Sequence, residues 1–138
     1  TLDGEAPGPG QVAMLFQNPD YQLLSPRVAA DVALNAAQPE AVEAALQATG
    51  TVDLRDRAPA ELTPGQRRRA ALAGVAAAGR PLALLDVPFA GMGQTEGDRL
   101  WQALRDGFSA RGTTVLATGE PPATAQPDRR WEVTQWRR

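Results

Sequence analysis

Three short, continuous apolar runs constrain this chain most: Val12-Ala13-Met14-Leu15-Phe16, Leu82-Ala83-Leu84-Leu85 and Thr113 to Thr118. Each is short, bounded by turn-forming or polar residues, and lacks the apolar–polar alternation of a half-buried strand. Such runs read as buried strands, the habit of parallel sheets covered on both faces. Helical segments lie between them. The composition turns Ala-rich from Arg27 to Ala48, where Pro39 separates two predicted helices and Gly50 stops the second. Leu54 to Leu62 suits short helical turns. Thr63-Pro64-Gly65-Gln66 opens a helix to about Ala78, ended by Gly79, and Leu100, Trp101, Leu104 and Phe108 recur at helical spacing between Thr95 and Ala110. The alternation predicts a single α/β unit over residues 1–138 with a mostly parallel sheet. Residues 18–78, without strands, form a helical subdomain inserted into a core of 1–17 and 79–138. Weaker strands are predicted within Thr1 to Gly10 and at Trp131-Glu132-Val133.

Composition excludes several chemistries. With no His and no Cys there is no zinc cluster, thiol nucleophile, Ser-His-Asp triad or disulfide framework. Every basic residue is Arg, so no lysine can form a Schiff base or hold a phosphate in a P-loop. A net charge of −2 argues against nucleic acid as a partner. No apolar run approaches the ~20 residues that span a bilayer, which predicts a cytoplasmic protein. The chain opens on Thr1 rather than Met, which suits a processed start or a piece of something longer.

Asp86 ends the second apolar run, where open α/β sheets place ligands and where a carboxylate can hold Mg²⁺ beside a phosphate. Capping the loop after the strand explains it equally well. Gln17 ends the first run, as a ligand-facing amide or an ordinary loop residue. Thr63 with Gln66 three residues on is a capping box with Pro64 at the first helical position. The same helix N-terminus, through Thr63, Gly65 and Gln66, also suits phosphate. Arg67, Arg68 and Arg69 follow at the end where the helix dipole disfavours cations. They read as a solvated basic face or as a sign of an acidic partner or an anion nearby. Tyr21, Leu23 and Leu24 suit a docking surface or packing, Trp101 and Phe108 a core, and Trp131 and Trp136 a contact surface.

In order, these pieces resemble the ATP-binding domain of ABC transporters. Leu15-Phe16-Gln17-Asn18-Pro19-Asp20-Tyr21-Gln22-Leu23 with Val28-Ala29-Ala30-Asp31-Val32-Ala33 resembles the Q-loop region, in its energy-coupling-factor (cobalt, nickel, vitamin) form. Leu62-Thr63-Pro64-Gly65-Gln66-Arg67-Arg68-Arg69 is similar to the signature LSGGQ and its basic follow-on. Leu84-Leu85-Asp86-Val87-Pro88-Phe89-Ala90-Gly91-Met92 resembles LLDEPTAGL, and Val115-Leu116-Ala117-Thr118-Gly119 the ATH switch. The resemblance implies a P-loop NTPase-like fold, ATP and Mg²⁺ as cofactors, and Gln17 and Asp86 as the groups near Mg²⁺. It implies Thr63, Gly65 and Gln66 as nucleotide contacts completing the site of a second ATPase subunit or a self-dimer. A transmembrane subunit would dock on the Q-loop and helical insertion, placing the chain at the inner face of the membrane.

The departures carry as much meaning. Val87 stands where the family has its catalytic glutamate, and a valine neither accepts a proton nor orients water. Gly119 replaces the switch histidine, Gly93 the D-loop aspartate, and Pro64 a glycine whose N–H would face phosphate. No G-x-x-x-x-G-K-[ST] loop occurs. The chain therefore resembles the later three-fifths of such a domain, with no catalytic residue of its own and weak or absent affinity for ATP alone. A sheet lacking the P-loop strand is expected to show unpaired edges and an uncovered apolar face. Three functions fit: a hydrolysis-dead subunit supporting an active partner, a slow ATPase whose P-loop lies upstream of Thr1, and a remnant interaction module without nucleotide.

Overall fold

A computed structural model describes residues 6–130. Strand β1 (Val12–Leu15) is followed by helices α1 (Val28–Leu34), α2 (Pro39–Ala48) and α3 (Pro64–Ala78), then by β2 (Leu82–Leu85), α4 (Gln94–Ala110) and β3 (Thr114–Ala117). Short 3₁₀ turns at Pro19–Tyr21, Val52–Leu54 and Pro59–Glu61 fill the connections. The strands form one parallel sheet in the order β1-β2-β3, with Met14, Leu84 and Leu116 in one row and Leu15, Leu85 and Ala117 in the next. The predicted strand within Thr1–Gly10 falls partly on residues outside those described, and Gly8–Gln11 forms a turn closed by a Gln11 N–H to Gly8 O bond of 3.2 Å. The strand predicted at Trp131–Val133, like Trp131 and Trp136, lies outside the described residues.

Helix α3 organises the interior. Thr63 caps it, Pro64 supplies a pre-set φ at its start, and Gly79 ends it at φ 57°. Its body is mostly alanine and is buried nearly all round, including Ala70, Leu72, Ala73 and Ala77. Small side chains let β1, α1 and α2 approach it closely, so it serves as a central rod rather than an amphipathic surface helix. Leu15, Ala83 and Leu85 of the sheet join Leu100, Leu104 and Phe108 of α4 in the same core. Trp101 is only half-buried, and packs edge-on against Phe89 at 6.3 Å.

The apolar runs taken alone suggest strands buried on both faces, but one face is open, as expected of such a sheet without its P-loop strand. Side chains alternate along a strand, so Val12, Met14, Leu84 and Leu116 project opposite to Leu15 and Leu85. Met14 is 43% and Leu116 42% exposed, and β3 has no fully buried residue. Among the described residues no layer covers that face, and β1 and β3 are both sheet edges. Apolar sequence here marks a face built for a cover rather than one that has it.

Candidate functional site

The carboxyl ends of the three parallel strands meet at one rim, carrying Gln17 after β1, Asp86 and Val87 after β2, and Thr118 and Gly119 after β3. The site is wired through Thr118. Its Oγ1 donates to Asp86 Oδ1 at 2.6 Å and accepts the Val87 N–H at 3.0 Å. Val87 adopts φ 48°, the one positive-φ position among the described non-glycine residues, and a β-branched side chain is costly there. Its carbonyl is held as well, accepting from Arg68 Nη1 at 2.9 Å. Arg68 Nη2 donates to the Gln17 carbonyl at 3.0 Å. One guanidinium from the second turn of α3 thus ties the ends of β1 and β2 together, a fork geometry that suits two neighbouring acceptors.

Gly119 completes this lock. It sits at φ 86°, and a Cβ there would lie 3.0 Å from Val87 Cγ1. The valine methyl therefore fills the space that a side chain at 119 would need. Where a glutamate and a histidine would bring a base and an imidazole, the site holds hydrocarbon against a bare backbone.

At the start of α3 the capping box is complete. Gln66 N–H donates to Thr63 Oγ1 at 3.3 Å, and Gln66 Oε1 accepts the Thr63 N–H at 2.9 Å. Both side chains are engaged by the helix, and the Gln66 N–H, expected to face phosphate, is used by the cap. Pro64 has no N–H, so the first turn keeps the Gly65 N–H for an anion. Gln17 is exposed and its side chain makes no hydrogen bond among the described residues; Asp86 is half-buried. Arg68 links the loop of Gln17 and Asp86–Val87 to α3, while Thr63, Gly65 and Gln66 stand one turn earlier on that helix.

These groups fit ATP and Mg²⁺ poorly by themselves. They bring one carboxylate, already accepting from Thr118, one amide and one free N–H, and the chain has no lysine. Among the described residues no three His, Cys, Asp or Glu side chains gather to hold a metal ion.

The three arginines do not form one solvated face; two of them meet acidic side chains of the chain itself. Arg67 Nη1 pairs with Asp20 at 2.8 Å, Arg68 clamps the two carbonyls, and Arg69 Nη1 meets Glu96 at 3.5 Å. Consecutive helical residues are set about 100° apart, so three adjacent side chains reach three different partners rather than form one face. That angular offset was the available signal for Arg68, which sequence reasoning passed over. Thr118 was missed for a different cause: its role depends on β3 lying beside β2. In the loop after β1, Tyr21 is 74% and Leu24 78% exposed, whereas Leu23 packs against the core.

A parallel sheet with helices between its strands and a polar rim at its carboxyl ends, to which a capped helix is tied by an arginine, defines an open α/β class of domain. The family model described as ABC transporter matches residues 4–90, and the chain belongs to that family. It is 34% identical over 113 residues to the energy-coupling factor transporter ATP-binding protein EcfA of Methanocaldococcus jannaschii, covering 76% of this chain and 40% of that one. Against the thiamine import ATP-binding protein ThiQ of a Ruegeria species it is 34% identical over 132 residues, covering 91% and 57%. Among solved structures, cbiO1 of Clostridium perfringens, part of the ABC transporter complex cbiONQ, superposes with a TM-score of 0.64 at 31% identity, covering 80% of this chain and 48% of that one. The ATP-binding cassette MJ0796, bound to ADP and Pi, shares the fold at a TM-score of 0.65 and 21% identity. The fold is thus part of an ABC ATPase domain, and the chain spans about half the length of these relatives. Among the described residues no helix is long and apolar enough to cross a membrane.

Proposed function

We propose that the chain is part of a degenerate ATP-binding-cassette subunit of an energy-coupling-factor-like transporter, without ATP hydrolysis of its own. The observation that carries this is the interlock of Val87 and Gly119, which leaves neither a general base nor a switch side chain at the rim. In this reading the Thr63 O–H, the Gly65 N–H and the Gln66 side-chain NH₂, donors that the capping box does not use, complete the nucleotide site of a catalytically intact second ATPase subunit. Gln17 and Asp86 keep the polar positions near Mg²⁺. The exposed Tyr21 and Leu24 offer an apolar surface to a transmembrane subunit, which holds the chain at the inner face of the membrane.

Calorimetric titration with Mg-ATP, phosphate-release assays and a heteromer reconstituted with an intact ATPase subunit test the proposal. Expected are weak or no ATP binding by the chain alone, no phosphate release, and a loss of heteromer activity in Thr63→Ala. Phosphate release by the chain itself would favour a slow ATPase. Unchanged heteromer activity in Thr63→Ala, with no ATP binding, would leave the interaction-module reading.

A further inference from the structure

The outer edge of β1 borders an open-sided cavity of about 300 Å³. Val12 and Met14 form one part of its lining, Ala71 and Gly74 of α3 another, and Asp31 of α1 a third. This cavity lies along the strand edge, apart from the polar groups of the rim.

The edge itself is half occupied. Leu82 N–H donates to Gln11 O at 3.2 Å and Asp86 N–H to Leu15 O at 3.0 Å. Main-chain groups of alternate residues face opposite edges of a strand, so those of Val12, Met14 and Phe16 point away from β2. Gln22 imitates a neighbouring strand over part of that edge: its Nε2 donates to Met14 O at 2.6 Å, and its Oε1 accepts the Phe16 N–H at 2.7 Å. Val12 N–H and C=O and Met14 N–H have no further partner among the described residues. An edge left in this state is a template for an added strand.

Asp31 supplies a second, independent sign. It is 8% exposed, and its Oδ1 accepts the N–H groups of Leu24 at 2.9 Å and Ser25 at 2.8 Å. Among the described residues its Oδ2 is buried without any hydrogen-bond donor. A carboxylate oxygen so placed is costly until a donor reaches it, and a cationic donor serves best. The small wall opposite leaves room, since a Cβ on Gly74 would meet nothing within 4 Å.

We propose that this edge docks an extended segment of a partner polypeptide. The segment pairs with Val12 and Met14 and sends an arginine or lysine side chain into the cavity to Asp31. Arg80 lines the same cavity, so a segment carrying an acid as well as this base complements it better than a purely cationic one. The site does not depend on nucleotide.

The test titrates the ¹⁵N-labelled full chain with hexapeptides of alternating Val and Thr that bear Arg, Lys, Gln or Glu at one inward position. The Arg and Lys peptides are expected to shift the Val12 and Met14 amide resonances. They should bind about tenfold tighter than the Gln and Glu peptides, the scale of one charge-assisted hydrogen bond. Asp31→Asn should remove that preference while keeping the Oδ1 acceptor. Gly74→Leu should abolish binding by filling the cavity, and native amide dispersion in Gly74→Leu verifies its fold. The proposal is overturned by equal binding of the Gln or Glu peptides, by unshifted Val12 and Met14 amides, by binding that survives in a folded Gly74→Leu protein, or by no binding at millimolar peptide.

Discussion

Putting a side chain back at position 119 is the sharpest perturbation of this rim. Gly119 holds φ 86°, which costs an L-residue about 1–2 kcal/mol. Its new Cβ would stand 3.0 Å from Val87 Cγ1, so one of the two must move. Val87 is poorly placed to yield, because its N–H is fixed to Thr118 Oγ1 and its carbonyl to Arg68. Forced overpacking of this kind adds roughly 1 kcal/mol or more, giving about 2–3 kcal/mol lost for Gly119→Ala. Replacing the valine removes the steric part. Val87→Gly deletes the offending methyl and relieves its own positive φ, so Gly119→Ala in that background should cost only the backbone share. A double-mutant cycle by urea denaturation reads the difference as a coupling of about 1 kcal/mol. A coupling indistinguishable from zero, within about 0.5 kcal/mol, would refute the interlock and show that 87 and 119 diverged independently. If the coupling is present, a histidine at 119 cannot be restored alone.

Other outcomes follow from the same contacts. Arg68→Met removes two hydrogen bonds to main-chain carbonyls and should cost about 2–3 kcal/mol in chemical denaturation, with Arg68→Lys recovering part of it. Thr63→Ala breaks the capping box and should cost about 1 kcal/mol, which heteromer assays must allow for by working well below the melting temperature. Met14→Gln, on the uncovered sheet face, should change the stability of the chain by less than about 0.5 kcal/mol, whereas Leu85→Ala on the covered face should lose about 2–5 kcal/mol. Similar losses for the two would mean that the Met14 face is covered.

Much of the fold was legible because its signals are local. Runs of four to six residues marked the three strands, and Thr63, Pro64 and Gly79 marked the two ends of α3 through cap chemistry that needs no tertiary context. Asp86 and Gln17 were visible as polar residues terminating apolar runs. The exposure of β1 and β3 was legible only through the lack of a P-loop segment, since an apolar run records the face a strand is suited to bury and is silent about what covers it. Sequence adjacency suggests a shared environment for the arginine run, whereas helix geometry sends Arg67, Arg68 and Arg69 to three different places.

The amino-acid sequence alone determined the alternation of strands and helices, the family resemblance, and the absence of a lysine, a histidine and a glutamate from the places where this chemistry needs them. These are properties of residue type and order. Only the tertiary structure decided that Thr118 bonds both Asp86 and Val87, that Arg68 spans two strand ends, and that Val87 occupies the space beside Gly119. It alone set Asp31 and the half-covered edge of β1 on one cavity. Each of these joins residues far apart in sequence, and their meeting depends on strand register and helix packing, which no local pattern encodes.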